Sequence, residues 1–289
     1  MKILPLCRRA SLTGLFLLTL LSSLPLGAEI IQEKLPSGHY GVAAYHQAET
    51  GNPAILVLHG FLTTHNFNTV MSIVELLAEN GNTVLAPTMT LGINARQGGL
   101  ACDAIHTHTL EGDLDEISFW INWLSKRGHK QIVLIGHSSG SLELLAYLND
   151  NPNPAVTKLI ATSLVYADGF NSAALVEQQI AEAQKKHRQG DRSLQAYTYS
   201  YCRGNFLAPA YVYLSYTAWT RQRVLIALQQ SPGAVSIIMG GKDERFQHSW
   251  VQALQKTGAE VIIINGASHF FDSHHEFDLH DTILALLKR

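Results

Sequence analysis

The run Gly136-His-Ser-Ser-Gly140 sets a hydroxyl nucleophile, Ser138, between two glycines. Four apolar residues, Ile132 to Ile135, precede the run, and an apolar helical pattern from Ser139 to Leu148 follows it. A serine on a sharp strand-to-helix turn is pushed out at the end of the strand, above a helix N-terminus. The plainer reading is an ordinary turn with a serine cap. A serine hydroxyl reacts only when a base takes its proton, and the base needs an acid to orient it. Two later loops carry those types. Met239-Gly-Gly-Lys-Asp243-Glu-Arg245 follows one apolar run and Asn265-Gly-Ala-Ser-His269-Phe-Phe271 follows the next. His269 would be the base and Asp243 the acid. Asp168, also after a strand, is the alternative acid. An acyl-transfer transition state further needs N–H donors for its oxyanion. Ser139, directly after the nucleophile, supplies one; the loop Leu58-His-Gly-Phe-Leu62 supplies the other through Phe61, with Leu62 next.

These loops need a scaffold that brings strand ends together. Short, continuous apolar runs recur at 54–58, 83–86, 131–135, 158–165, 235–239 and 261–264. Amphipathic patterns lie between and after them, at 67–80, 111–126, 139–148, 246–256 and 278–287. Val70, Ile73, Val74 and Leu77 share one helical face, as do Leu114, Ile117, Ile121 and Leu124. Uninterrupted apolar strands alternating with helices predict an α/β fold, a parallel sheet covered on both faces. Tyr40 to Tyr45 predicts a modest edge strand. From Asp168 to Pro232 the alternation stops and composition shifts, with six of the ten tyrosines between Tyr197 and Tyr216. That stretch is predicted as an insertion over the sheet.

His59-Gly-Phe61, Gly136-His-Ser-Ser-Gly140, Gly241-Lys-Asp243 and Gly266-Ala-Ser-His269-Phe-Phe271 stand in order at strand ends, and with them residues 52 to 289 resemble the α/β-hydrolase superfamily. The resemblance implies a mostly parallel eight-stranded sheet with helices on both faces. It implies a cap insertion between strands six and seven, where 168–232 falls, and hydrolysis through an acyl-serine intermediate. The segments 88–96 and 105–108 have no place in the general pattern; following a strand end, they are predicted to overhang the site.

The first residues differ from the rest. Lys2, Arg8 and Arg9 precede an uncharged apolar run from Leu12 to Leu26, the form of a secretory signal, with cleavage expected after Ala28. The run is short for a span, which needs about 20 residues. Residues 29–289 would then be one domain, periplasmic or secreted, with no stable membrane span. The full chain carries 21 basic and 23 acidic residues. Cleavage would remove three basic residues and leave a net charge of −5. That balance argues against a nucleic acid or anionic surface as partner. Of three cysteines, Cys7 leaves with the signal, and Cys102 and Cys202 form a candidate disulfide in an oxidising compartment.

The histidines and carboxylates of 269–281, with His106 and His108, lack any zinc-binding spacing, so no metal and no cofactor is expected. The tyrosine-rich cap segment either binds aromatic or acyl groups or is edge packing; Tyr197, Tyr199 and Tyr201 alternate with period two, so only one face could line a pocket, and Tyr197 and Trp219 are the pocket-facing candidates. The predicted activity is that of an exported serine hydrolase acting on small-molecule carboxylic esters. Amide or peptide hydrolysis, acyl transfer and a non-catalytic binding role are the alternatives.

Overall fold

The computed structural model describes residues 27–289 apart from 49–51, 151–152, 168, 170, 232–233 and 246–247. The expected signal therefore falls almost wholly outside the described residues.

Ten strands and eight helices are described, in the order β1 (Glu29–Lys34), β2 (Tyr40–His46), β3 (Ala54–Leu58), α1 (Asn68–Glu79), β4 (Val84–Thr88), α2 (Leu110–Lys126), β5 (Ile132–His137), α3 (Ser139–Asp150), β6 (Val156–Thr162), α4 (Ala173–Arg188), β7 (Gln195–Tyr199), β8 (Cys202–Ala208), α5 (Ala210–Thr217), α6 (Arg221–Gln230), β9 (Val235–Gly240), α7 (His248–Gln255), β10 (Glu260–Ile264) and α8 (His275–Leu287). Eight strands form one sheet in the order β1-β2-β4-β3-β5-β6-β9-β10. From β4 to β10 all neighbours are parallel; β2 pairs antiparallel with both β1 and β4.

The continuous apolar runs are central strands because both faces of the sheet are covered. In β3, Ala54, Leu56 and Leu58 point into one core while Ile55 and Val57 point into the other, the period of two that a pleated strand imposes. The first core also takes Ile117, Trp120, Ile121 and Leu124 from α2, and Leu144 and Leu145 from α3. The second takes Val70, Ile73, Val74 and Leu77 from α1, and Leu279, Ile283 and Leu286 from α8. Thr109 caps α2, its side chain accepting from the Gly112 N–H, with Glu111 and Asp113 in the first turn and Lys126 in the last. These charges oppose the helix dipole at each end.

The stretch between β6 and β9, the sixth and seventh strands of the sheet in chain order, divides in two. α4, the separate β7–β8 hairpin and α5 form the cap. α6 packs instead against α3, so it belongs to the layer that covers the sheet. A disulfide joins Cys102 to Cys202 at a Cα–Cα distance of 5.5 Å and ties the loop before α2 to the first residue of β8. Among the described residues no helix is long and apolar enough to cross a membrane.

Candidate active site

Ser138 sits between β5 and α3 with φ at +57°, a left-handed conformation that costs a residue with a Cβ of order 1–3 kcal/mol. The glycines on either side are there for space. A Cβ on Gly136 would lie 2.6 Å from the backbone of Ser141, and one on Gly140 would lie 2.4 Å from the carbonyl oxygen of His59. Any larger residue would force helix, strand and the β3 loop apart. The turn therefore holds its strain because strand pairing and two close backbone contacts fix it from outside.

His269 follows β10 and Asp243 follows β9, so parallel pairing of those strands brings both loops to the same edge as Ser138. His269 Nε2 lies 2.9 Å from Ser138 Oγ, and His269 Nδ1 lies 2.6 Å from Asp243 Oδ2. All three residues are no more than 8% exposed. The other Asp243 oxygen accepts from the Arg245 backbone N–H at 3.1 Å. Ser163, at the end of β6, donates from Oγ to the His269 carbonyl at 2.7 Å and holds that loop from the neighbouring strand. Asp168 lies outside the described residues.

The loop after β3 completes the arrangement. The Gly60 carbonyl accepts from His59 Nδ1 at 2.8 Å, from Thr63 Oγ1 at 2.9 Å and from the Thr63 N–H at 3.2 Å. A peptide unit is planar and trans, so the N–H of Phe61 points opposite to that anchored carbonyl. A Cβ on Gly60 would lie 3.3 Å from the Ser138 Cβ, so the β3 loop packs directly on the turn that carries Ser138. Beside Ser138 lies a cavity of about 200 Å3, walled by Phe61, Phe67, His137, Tyr201, Arg245 and Phe270. A wider groove of about 970 Å3 between α2 and the β1–β2 turn contains none of the three hydrogen-bonded residues, so size alone does not locate the chemistry.

The sequence profile of the alpha/beta hydrolase family matches residues 55–281. The chain belongs to that family. No curated protein sequence matches it. Among solved structures it is similar to the alpha/beta hydrolase GrgF from Penicillium sp. sh18, at 16% identity and a TM-score of 0.71 over 91% of this chain and 99% of that one. It is similar to Est1E from Butyrivibrio proteoclasticus, at 17% identity and a TM-score of 0.62 over 91% and 100%. An esterase from Pyrococcus furiosus aligns at 14% identity and a TM-score of 0.63 over 91% of each chain. These likenesses establish a shared fold.

In this alpha/beta hydrolase, burial lowers the His269 pKa from its ordinary value, and Asp243 opposes the shift. The imidazole is thereby a neutral base over a wider acid range, and the carboxylate at Nδ1 selects the tautomer whose Nε2 faces Ser138.

Sequence reasoning missed a buried polar layer beneath the β3 loop. Arg96 is 4% exposed and donates to the carbonyls of Met89, Gly98 and Thr63 at 2.6, 2.8 and 2.9 Å. The segment 88–96, expected to overhang the site, underpins it instead. Burial, reinforced by Arg96, lowers the His59 pKa to about 3, so its ring is neutral and Nε2 accepts from the Met89 N–H. Glu116 accepts from the Thr90 N–H and hydroxyl, and burial raises its pKa to about 7. Glu143 is raised well above its ordinary value by burial and by Asp113 nearby. The signal was available in α2 and α3: Asp113, Glu116 and Glu143 sit on helix faces that are otherwise apolar.

The tyrosine expectation needs correction. Tyr197 stacks on Tyr213 at 4.0 Å and Trp219 is 1% exposed, so both are cap core. The cap reaches the cavity through Ser200 and Tyr201, in the turn of the hairpin. His106 stacks on Phe206, and His108 meets Asp113 and Tyr216. Among the described residues no group of three His, Cys, Asp or Glu is placed to hold a metal ion.

Proposed function

We propose that this protein is an exported serine hydrolase that cleaves carboxylic esters through an acyl-serine intermediate. The observation that carries the reading is the hydrogen-bonded line from Ser138 Oγ through His269 to Asp243, opening on a cavity. Ser138 Oγ attacks the ester carbonyl as His269 Nε2 takes its proton. Asp243 stabilises the imidazolium through Nδ1–H. The oxyanion is held by the N–H groups of Phe61 and Ser139, fixed in place before the reaction begins. His269 returns the proton to the leaving alcohol, and a water activated by the same imidazole releases the acid. No cofactor enters this chemistry.

Ester cleavage is favoured by the aromatic walls beside Ser138, which suit an apolar acyl or alcohol group, and one of the similar structures is named an esterase. Export is supported by the charged and apolar pattern of residues 1–28, together with the Cys102–Cys202 disulfide. On this reading β1 begins at Glu29, the first residue after the expected cut.

A chain-length series of chromogenic esters on the wild type and on Ser138→Ala tests the proposal. Turnover by the wild type, loss in the variant, and covalent labelling of Ser138 by a serine-directed phosphonate are expected. Absence of both turnover and labelling would leave a binding role; turnover of amides over esters would move the reaction class within the same fold.

A further inference from the structure

The cavity beside Ser138 is small, and at about 200 Å3 it holds the volume of roughly six or seven liquid waters. That size suits a short or single-ring group. Phe61, Phe67, Phe270 and Tyr201 give the cavity an aromatic lining. Such walls by themselves would serve any compact neutral ester.

One lining residue changes that. Arg245 contributes its side chain to the same cavity as Ser138, and its guanidinium lies 4.4 Å from the centroid of the Phe270 ring. Contact with an aromatic face helps to hold a guanidinium in place, and the Asp243 carboxylate acts on the same charge. Arg245 is two residues after Asp243, and its backbone N–H is bound by the Asp243 carboxylate. The charge is therefore placed by the same turn that places the triad acid. None of the described residues lining the cavity is acidic. Ser200, Thr63 and Tyr201 add hydroxyl groups to the same wall.

From this juxtaposition we propose that Arg245 is a specificity-determining residue and that the substrate is a compact ester bearing a carboxylate close to the scissile bond. The inference rests on the ester-hydrolase reading of Ser138. A neutral aromatic pocket with one fixed cation binds an anion in preference to its uncharged isostere. A hydrogen bond to a charged group is worth about 1.5–3 kcal/mol, or about 10- to 150-fold in kcat/KM. Because the carboxylate is bound before and during the reaction, the effect belongs mainly to KM.

Two matched pairs of esters decide the matter and locate the anion. Monomethyl glutarate against methyl 4-carbamoylbutanoate places it on the acyl side; 4-acetoxybenzoate against 4-acetoxybenzamide places it on the alcohol side. In the wild type, at least one pair is expected to favour the anion by 10-fold or more. Arg245→Gln should bring that ratio near one, Arg245→Lys should restore part of it, and Arg245→Glu should invert it. An unchanged ratio in Arg245→Gln, or no anion preference in either pair while the neutral esters are turned over, overturns the inference and leaves the ester reading standing. If no ester in either pair is cleaved and the phosphonate does not label Ser138, the hydrolase reading falls, and this inference with it.

Discussion

Arg96 Nη2 lies 3.3 Å from Nε2 of His59, and the same ring donates from Nδ1 to the Gly60 carbonyl. A charge is thus set behind the peptide unit whose other end is the Phe61 N–H. On the proposed mechanism neither side chain needs to touch substrate, and both act as positioning residues. Arg96→Lys keeps the charge and loses the fork that also binds Met89, Gly98 and Thr63. Loss of an entire oxyanion donor costs about 10²–10³ in kcat, and misalignment of one should cost roughly 10-fold. The loss is expected in kcat with KM little changed. A rise in KM at constant kcat would mean that Arg96 shapes substrate binding instead.

The line from Ser138 to Asp243 predicts strong non-additivity. Ser138→Ala and His269→Ala should each lose at least about 10³-fold in turnover, and the double variant little more, since the residues act as a unit. Asp243→Asn should lose much of the activity with the fold retained. Losses that multiply in the double variant would show that the two side chains act independently.

The disulfide closes a separation of 100 residues and anchors β8 to the loop before α2. A loop of that length is assigned up to about 4.7 kcal/mol by chain entropy, and measured gains are commonly about 2–4 kcal/mol. The Cys102→Ala/Cys202→Ala variant should show a lowered denaturant midpoint and a somewhat steeper slope, because the unlinked chain exposes more surface on unfolding. Tyr201 follows the same anchor: it precedes Cys202, and its hydroxyl donates to the Phe61 carbonyl at 3.3 Å. Two free thiols in unreduced, denatured protein made through an oxidising export route would remove the link.

The parts of the site that were legible in the sequence are those with local causes. A glycine-bracketed serine between a strand and a helix is specified by the close contacts of Gly136 and Gly140, and Asp243 and His269 each stand a few residues past an apolar strand. The central strands were legible because both faces are buried. β1 was not: it is an edge strand, EIIQEK, whose side chains are mostly exposed or half-buried, so no burial pattern marks it. The hairpin β7–β8 was hidden by the register shift between Tyr197 and Tyr199, which defeats a simple alternation of faces. Arg96, Glu116 and Glu143 went unread because charged residues are ordinarily exposed, and some partners come from distant segments, Thr63 for Arg96 and Thr90, 26 residues away, for Glu116.

On the proposed mechanism the state of His269 fixes the acid limb of activity. Burial lowers its pKa below the ordinary 6.5, and Arg245 adds to the shift while Asp243 opposes it. Protonated imidazole cannot take the Ser138 proton, so activity falls as pH drops through the histidine pKa. The midpoint of kcat/KM for an uncharged ester should therefore lie below pH 6.5. Arg245→Gln should move that midpoint upward, since removing a neighbouring positive charge favours protonation. A wild-type midpoint above 6.5, measured between pH 4 and 9, would contradict the electrostatic account.

Glu116 offers a test of the buried layer that does not depend on catalysis. Its carboxyl is raised from 4.5 to about 7, chiefly by burial, against the hydrogen bonds from Thr90. Below about pH 4.5 the folded and unfolded chains both hold the proton. Between about 4.5 and 7 the unfolded chain gives it up while the folded chain keeps it, so folding loses stability as pH rises. Above about 7 the loss is complete and amounts to up to about 3 kcal/mol, at 1.36 kcal/mol for each unit of pKa. Glutamine is uncharged at every pH and keeps an oxygen for the Thr90 N–H. Glu116→Gln should thus gain stability relative to the wild type between pH 4 and pH 8, by an amount approaching that figure, in urea unfolding at both pH values. The absolute order of the two proteins at pH 4 reports only the packing cost of the amide. If the difference between them does not change with pH, Glu116 is ionised in the folded protein, and the layer beneath the β3 loop is held by charge rather than by a neutral carboxyl.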